Sequence, residues 1–421
     1  MTSVEDPPRS VRRPRRDGAR ERLLDALRAA GQVSRVELAA LTGLTEASVS
    51  TTVKRLLSEG VVVEAGRTRT GGKPRTLLQL DPGGRTAVGI DLATTTVTYV
   101  LTSQTGGVLA RLTRRFAPVD GSAEPATDDL AARLASDVDQ LLTKSGQDRG
   151  TCLGIGLVWG GPGGGLLRRT GRESDPADPA RPAAGAVGAV DGERLRRSLQ
   201  RVTGWPVLVE NDATAAAVGE YWVARVENSR SFAALYLGAG LGAGIVIDGA
   251  AHRGSRGHAG EFGHVCVVVD GPPCPCGGSG CLEVMAGPET VVARALADPD
   301  ARREAGLERV ARRALLTDFS AVARAARTGG QACRAILDDS ARYVAAAAET
   351  LVNLFDLDLL VLTGPGFAAA PAIYGSAITA RIGASSSRVW GRPVTVTVST
   401  AAATGPAVGA AALLLQDRLT R

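Results

Sequence analysis

Four residues in this sequence have the types and spacing to hold a metal ion: His264, Cys274, Cys276 and Cys281, in the pattern His-x9-Cys-x-Cys-x4-Cys. Three thiolates and an imidazole suit the softness and tetrahedral preference of zinc, and a Cys3His set is a common closed, structural site. The intervening glycines let one short loop wrap one ion. Such a site braces its loop and does no chemistry itself. The alternative is three reduced thiols in a packed loop. The chain has six cysteines, and nothing at the N-terminus reads as a secretory signal, so clustered cysteines point to metal before disulfides.

Carboxylates and an imidazole flank that loop, with Gly257-His-Ala-Gly-Glu-Phe-Gly-His264 before it and Leu282-Glu283 after it. Fixed acceptors converging on one point can hold several hydroxyls of a polyol at once. Glu210-Asn211-Asp212 ends a strand-like run and opens a helix. A carboxylate there can serve as a general base, or Asn211 and Asp212 can simply cap the helix. Gly238-Ala-Gly-Leu-Gly-Ala-Gly244 lies between two strand-like runs. Glycines this dense let backbone N–H groups approach a phosphate, and a plain hairpin explains them equally well.

These groups need elements to position them. With 421 residues, 44% hydrophobic and 22% charged, the chain should fold as two or three globular units. No apolar run reaches the roughly 20 residues that span a bilayer, so a cytoplasmic protein without membrane contact is expected. Residues 1–80 carry 15 Lys/Arg against 9 Asp/Glu, and the remainder carries 34 of each. The whole positive excess sits on the first fifth of the chain, which is the electrostatic footprint of a nucleic-acid binder.

Residues 1–18 are basic, Pro-rich and aperiodic, and read as a disordered tail. Residues 19–82 read as a winged helix-turn-helix. Leu23, Leu24 and Leu27 form one helical stripe. Ser34 and Glu37 make a capping box for a second helix, with Val36, Leu38 and Leu41 facing inward. Thr45 caps a third helix with Val49, Val53, Leu56 and Leu57 inside. Two strand-like runs, 61–65 and 75–80, flank a basic loop. Third helices of this kind enter the major groove, and basic wings neutralise phosphates. The expected DNA-contacting residues are Ser34, Arg35, Thr45, Ser48, Ser50, Thr51, Thr52, Lys54, Arg55, Arg67, Arg69 and Lys73. Beyond a short linker at 81–85, strand-like and helix-like stretches alternate to the end, an α/β pattern.

Together these motifs resemble the ROK family (repressors, open reading frames and sugar kinases), in particular its regulator branch. The resemblance runs from about Ala19 to the C-terminus. It rests on Val33–Ala39, Thr42–Thr45 and the wing Gly71–Pro74, and on Glu210–Ala213, Gly257–His264 and Cys274–Glu283 in the body. It implies an actin-like (ribonuclease H-like) fold of two α/β lobes over 83–421. Lobe one would span about 83–205 plus a C-terminal helix at 406–418, and lobe two about 206–400. It implies that Asp212 matches the kinase general base, and that Asn211, Asp212, Glu261, His264 and Glu283 match the sugar ligands. The other nitrogen of His264, with Cys274, Cys276 and Cys281, would hold structural zinc. Gly238, Gly240 and Gly242 match a phosphate loop, and Gly364 and Gly366 the turn near the adenosine.

One departure separates sensor from enzyme. Kinases of this family carry Asp-x-Gly-Gly-Thr around the ATP phosphates, and here the turn reads Asp91-Leu-Ala-Thr-Thr95. Both glycines are gone, and the added Cβ atoms oppose close backbone approach. The family's Asn-x-x-Trp region also has no counterpart after Trp159–Gly163. The resemblance therefore implies a sugar-responsive DNA-binding regulator, a repressor of carbohydrate-utilisation genes working as a homodimer or tetramer on double-stranded operator DNA. ATP and magnesium are not expected. The alternative is an active glucokinase-like sugar kinase with an added DNA-binding domain.

Overall fold

The computed structural model describes residues 18–67, 74–93, 95–115, 127–159, 192–223, 231–307, 315–389 and 393–420. It divides into two compact units: one up to Arg85 together with the chain end from Gln416, the other Thr86–Leu415.

In the first unit, helices α1 (Ala19–Ala30), α2 (Arg35–Thr42) and α3 (Glu46–Ser58) pack with strands β1 (Val33–Ser34), β2 (Val62–Arg67) and β3 (Thr76–Leu80). The sheet order is β1-β3-β2, and β2 and β3 form the antiparallel wing hairpin. Leu23, Leu24, Leu27, Leu38, Val49, Val53, Leu56 and Leu78 make the core. The capping box forms: Ser34 Oγ accepts from Glu37 N–H, and the Glu37 carboxylate accepts from Ser34 N–H at 2.8 Å. Thr45 Oγ1 accepts from Ser48 N–H and starts α3. Two expectations for α2 fail. Val36 and Leu41 are 43% and 59% exposed, so this eight-residue helix buries a single leucine, Leu38.

The second unit has two lobes with the same strand order. Lobe one contains β4 (Thr86–Leu92), β5 (Thr96–Ser103), β6 (Val108–Arg115), α4 (Thr127–Ser145), β7 (Cys152–Trp159), α5 (Gly192–Thr203) and β8 (Val207–Glu210). Its sheet runs β6-β5-β4-β7-β8; the first two pairings are antiparallel, the last two parallel. Lobe two begins with α6 (Asp212–Val223). It continues through β9 (Phe232–Leu237), β10 (Leu241–Ile247), β11 (Ala250–Ala251), α7 (Leu282–Ala286), α8 (Pro288–Ala297), α9 (Pro299–Glu304), α10 (Leu315–Arg327) and α11 (Gln331–Phe355). Last come β12 (Leu359–Thr363), α12 (Pro365–Ala369), α13 (Pro371–Val389), β13 (Thr395–Val398) and α14 (Gly405–Thr420), whose end from Gln416 belongs to the first unit. This sheet runs β11-β10-β9-β12-β13 with the same alternation of antiparallel and parallel pairs. The body is thus a topological duplicate without a matching sequence repeat.

Two small-residue helices join the lobes. Helix α6 is buried on nearly every side, as its run of alanines requires. Helix α14 lies against the lobe-one sheet so closely that a Cβ on Gly89 would sit 1.7 Å from the Ala407 carbonyl oxygen, and one on Gly156 would sit 2.1 Å from that of Ala410. Val158, Ala215 and Ala410 bring β7, α6 and α14 into one cluster. Among the described residues, no helix is long and apolar enough to cross a membrane.

Candidate functional site

The candidate ligand site forms where strand ends and helix starts meet. Strand β8 stops at Glu210, and Asn211 turns the chain into α6. The Asn211 Oδ1 accepts from the N–H groups of Ala213 (2.9 Å) and Thr214 (3.2 Å), so it caps α6. Asp212 Oδ1 also accepts from Ala213 N–H at 2.8 Å. Beside it, Glu283 at the start of α7 accepts from Leu241 N–H at 2.7 Å, which ties α7 to the β9–β10 hairpin. Glu261 precedes the short 3-10 turn Phe262–His264 and is exposed. Asp91 ends β4 at the rim of lobe one.

These acids are close enough to perturb one another. Burial drives Asp91 up to about 7, and the charge of Asp212 adds to it. Burial pushes Asp212 up to about 6; the Ala213 N–H opposes this and Glu261 adds to it. Burial also lifts Glu283 to about 7, offset by the Leu241 N–H and reinforced by Glu289 and Asp212. Tyr236, at the end of β9, is held well above its usual range by burial and then by Asp91 and Asp212. Acids held this way accept hydrogen bonds strongly once a ligand satisfies them, and such clusters mark functional sites.

A pH dependence follows. The folded-state pKa values of Asp91 and Asp212 lie above their unfolded values, so the stability tied to their protons is complete below about pH 4 and is lost as pH rises through 6 to 7. For Asp91 the full change is on the order of 4 kcal/mol. Ligand-free Tm should therefore fall between about pH 5 and pH 8 by several degrees less in Asp91→Asn than in the wild type. Parallel Tm curves for the two proteins would contradict the assignment.

The four metal-type residues converge. His264 Nδ1, Cys274 Sγ, Cys276 Sγ and Cys281 Sγ all lie within 4.8 Å of one another. His264 Nδ1 is 3.6 Å from Cys274 Sγ, and Cys276 Sγ is 3.6 Å from Cys281 Sγ. A tetrahedron with zinc–sulfur bonds of about 2.3 Å has edges of about 3.8 Å, so the donor set fits a zinc ion with small adjustments. Because Nδ1 faces the sulfurs, Nε2 points away from them.

The phosphate-type segments are less open. Ala93 N–H donates to Thr96 O at 3.0 Å and closes the β4–β5 hairpin, so it is committed within the turn. Thr95 is exposed. Gly238 N–H donates to Gly240 O at 2.9 Å, a tight hairpin turn, while Gly242 lies within β10 and faces Ala213. Gly364 has φ +92°, and a Cβ there would meet the Leu237 backbone at 2.8 Å, so packing alone requires glycine.

Of the DNA-type residues, Ser50, Thr51, Lys54 and Arg55 are exposed along α3, and Ser48 and Thr52 are half-buried. Thr45 serves as the cap. Thr51 Oγ1 donates back to Ala47 O, and Arg55 pairs with Glu59 at 2.8 Å. Arg67 is exposed at the end of β2, and Arg35 is half-buried, 4.0 Å from Glu64. Ser34 is 1% exposed and consumed by its capping box, which removes it from any DNA-facing set. Arg69 and Lys73, the tail 1–17 and residues 160–191 lie outside the described residues.

Sequence reasoning missed three participants. Tyr236 faces the acids from β9. Arg253 clamps Glu210 through Nε (3.0 Å) and Nη2 (2.8 Å), joining the end of β8 to the loop after β11. Glu220, two turns along α6 from Asp212, hydrogen-bonds Thr363 and Ser399. Only Glu220 left a signal, as an acid inside the otherwise apolar, Ala-rich stretch that follows Asp212 in α6.

A basic winged helix-turn-helix before a two-lobed actin-like body with a convergent acid cluster and a Cys3His loop defines a DNA-binding regulator built on a sugar-kinase fold. Residues 87–417 match the ROK family, and residues 16–63 match a winged helix-turn-helix DNA-binding domain. The chain belongs to the ROK family. It is 28% identical to a xylose repressor of Caldicellulosiruptor bescii over 335 residues, 78% of each chain. It is also 28% identical to a glucokinase of Halalkalibacterium halodurans over 278 residues, 66% of this chain and 79% of that one. A crystal structure of a ROK family transcriptional regulator, a homolog of the E. coli MLC protein, superposes with a TM-score of 0.69 at 23% identity, covering 95% of this chain and 96% of the other.

Proposed function

We propose that this protein is a sugar-responsive transcriptional repressor in which the kinase-like body senses a sugar and does not phosphorylate it. One observation carries the reading: Glu283 packs against Gly263, two residues after Glu261, and Asp212 feels the charge of Glu261 as Glu283 feels that of Asp212, while the neighbouring phosphate turn lacks glycine and has its Ala93 N–H committed to Thr96. Phosphoryl transfer depends almost wholly on positioning and charge stabilisation, so a site that keeps sugar acceptors without a phosphate cradle binds and does not turn over.

In this account Asp212, Glu261 and Glu283 accept from sugar hydroxyls, Asn211 contributes its amide, and His264 offers Nε2. Cys274, Cys276, Cys281 and His264 Nδ1 hold a zinc ion, which when bound fixes the loop that carries Glu261 and precedes Glu283. A pentose such as xylose is the first candidate, by similarity to the xylose repressor. Two copies grip a two-fold operator, because half-site spacing mirrors dimer symmetry. The sugar changes DNA affinity only through a different affinity for the bound and released states.

The test is fluorescence anisotropy on the protein's own upstream region with a panel of sugars. Binding at low salt that one sugar reverses is expected. No binding to any upstream fragment would overturn the proposal. The kinase reading is favoured by Asp212, whose pKa near 6 suits a general base. Hexose-dependent ATP turnover that vanishes in Asp212→Asn would establish it.

The recognition face makes a separate prediction. Lys54 is exposed on α3 with no ion pair among the described residues. If it contacts a phosphate, Lys54→Ala should weaken binding about equally on all sequences and reduce the slope of log K against log salt by about 1. An unchanged slope would remove Lys54 from the interface.

A further inference from the structure

Cys266 lies two residues beyond His264 and outside the four-donor cluster. Val267 N–H donates to Gly280 O at 2.9 Å, and Leu282 N–H donates to Val265 O at 2.8 Å. These two bonds flank Cys266 and Cys281, which face each other across an isolated antiparallel bridge. They therefore form the non-hydrogen-bonded type of pair, in which Cα atoms lie about 4.5 Å apart and side chains project to the same face. A disulfide requires a Cα separation of about 4.4–6.8 Å. Both are free thiols; Cys266 is exposed and Cys281 is buried.

We propose that Cys266 and Cys281 form an oxidation site, in which a disulfide between them removes Cys281 from the metal set and opens the loop beside the ligand site. The oxidant is a peroxide. The Cys266 thiolate attacks one peroxide oxygen, a sulfur–oxygen bond forms, the oxygen–oxygen bond breaks, and hydroxide leaves as water. The Cys281 thiolate, giving up its metal bond, then attacks the sulfenic sulfur. The sulfur–sulfur bond forms, the sulfur–oxygen bond breaks, and a second water is released. Each sulfur loses one electron and the peroxide gains two.

Accessibility sets the order. In the zinc-loaded protein Cys274, Cys276 and Cys281 are held by the ion, and Cys266 is the exposed thiol that is not. The consequence reaches the ligand site because Cys281 is the residue that starts α7, two positions before Glu283. The metal part rests on the zinc reading above; the cross-link itself does not.

The experiment treats the full-length protein with hydrogen peroxide, blocks remaining thiols by alkylation, and maps cross-linked peptides by mass spectrometry without reduction. Zinc release is followed in parallel with a chromogenic chelator. A peptide joining Cys266 to Cys281 is expected, with one zinc lost per cross-link, and Cys266→Ser should slow the release by about tenfold or more. A cross-link confined to Cys276 and Cys281, whose sulfurs lie 3.6 Å apart, would overturn the proposal. So would oxidation of Cys266 without a cross-link, or zinc release from Cys266→Ser at the wild-type rate. Protein that carries no zinc as purified would refute the metal reading while the peptide map still decides the pair.

Discussion

Replacing Asp212 by Asn is expected to leave operator binding within about threefold of wild type while raising the sugar concentration needed for release by about 10- to 150-fold. In the proposed site the carboxylate accepts from sugar hydroxyls, and a hydrogen bond to a charged group contributes about 1.5–3 kcal/mol. Asn keeps the shape and one acceptor oxygen, so the loss is that of the charge. The same substitution removes a buried carboxylate whose pKa is pushed up to about 6. At pH 8 the ligand-free variant should therefore be at least as stable as the wild type, which separates a deaf sensor from a damaged one. Release at wild-type sugar concentrations would take Asp212 out of the site.

The second large effect concerns the metal loop. Cys274 is 6% exposed, and its sulfur lies 3.6 Å from His264 Nδ1. In Cys274→Ser the proposed zinc site loses a thiolate, and structural zinc sites contribute folding energy outright, about 10–16 kcal/mol in isolated zinc-finger peptides. Lobe two has a large core of its own outside this mostly exposed loop, so local disorder is expected in place of global unfolding. Zinc content should fall from one per chain to near zero. Amide exchange across 264–283 should accelerate by about 100-fold or more, and sugar response should be lost with Glu261 and Glu283 no longer fixed. Operator binding without sugar should survive, because the winged helix has its own core of Leu24, Leu38, Val53 and Leu78. Full zinc occupancy in the variant would contradict the assigned donor set.

Local physics wrote the winged helix into the sequence. The capping box at Ser34 and Glu37, the Thr45 cap and the stripe Val49, Val53 and Leu56 are short-range features, and each appears in the fold. The same reasoning failed at Val36 and Leu41, because an eight-residue helix at a domain surface exposes apolar positions that periodicity alone assigns inward. The Cys3His loop was legible because its donors lie within eighteen residues. Glu261 and Glu283 were legible as acceptors flanking that loop, but their meeting with Asp212 was legible only through family resemblance, and Asp91 was read only as part of a phosphate turn, since the four acids come from separate segments. Tyr236 and Arg253 were not legible at all: one is an ordinary strand aromatic by pattern, and the other meets Glu210 across 43 residues of chain. The duplicated strand order depends on parallel pairings between β4, β7 and β8 and between β9, β12 and β13, which no local signal specifies.

Linkage gives the most direct test of the sensor account. If a sugar lowers operator affinity by some factor, operator must lower sugar affinity by the same factor. Isothermal titration of xylose, and of any other sugar active in the release assay, should be run on the free protein and on its operator complex, without Mg-ATP. The account predicts a weaker sugar affinity on the complex, by the same factor that anisotropy gives for DNA. Equal sugar affinity in both states, or sugar binding that appears only with Mg-ATP present, would contradict it.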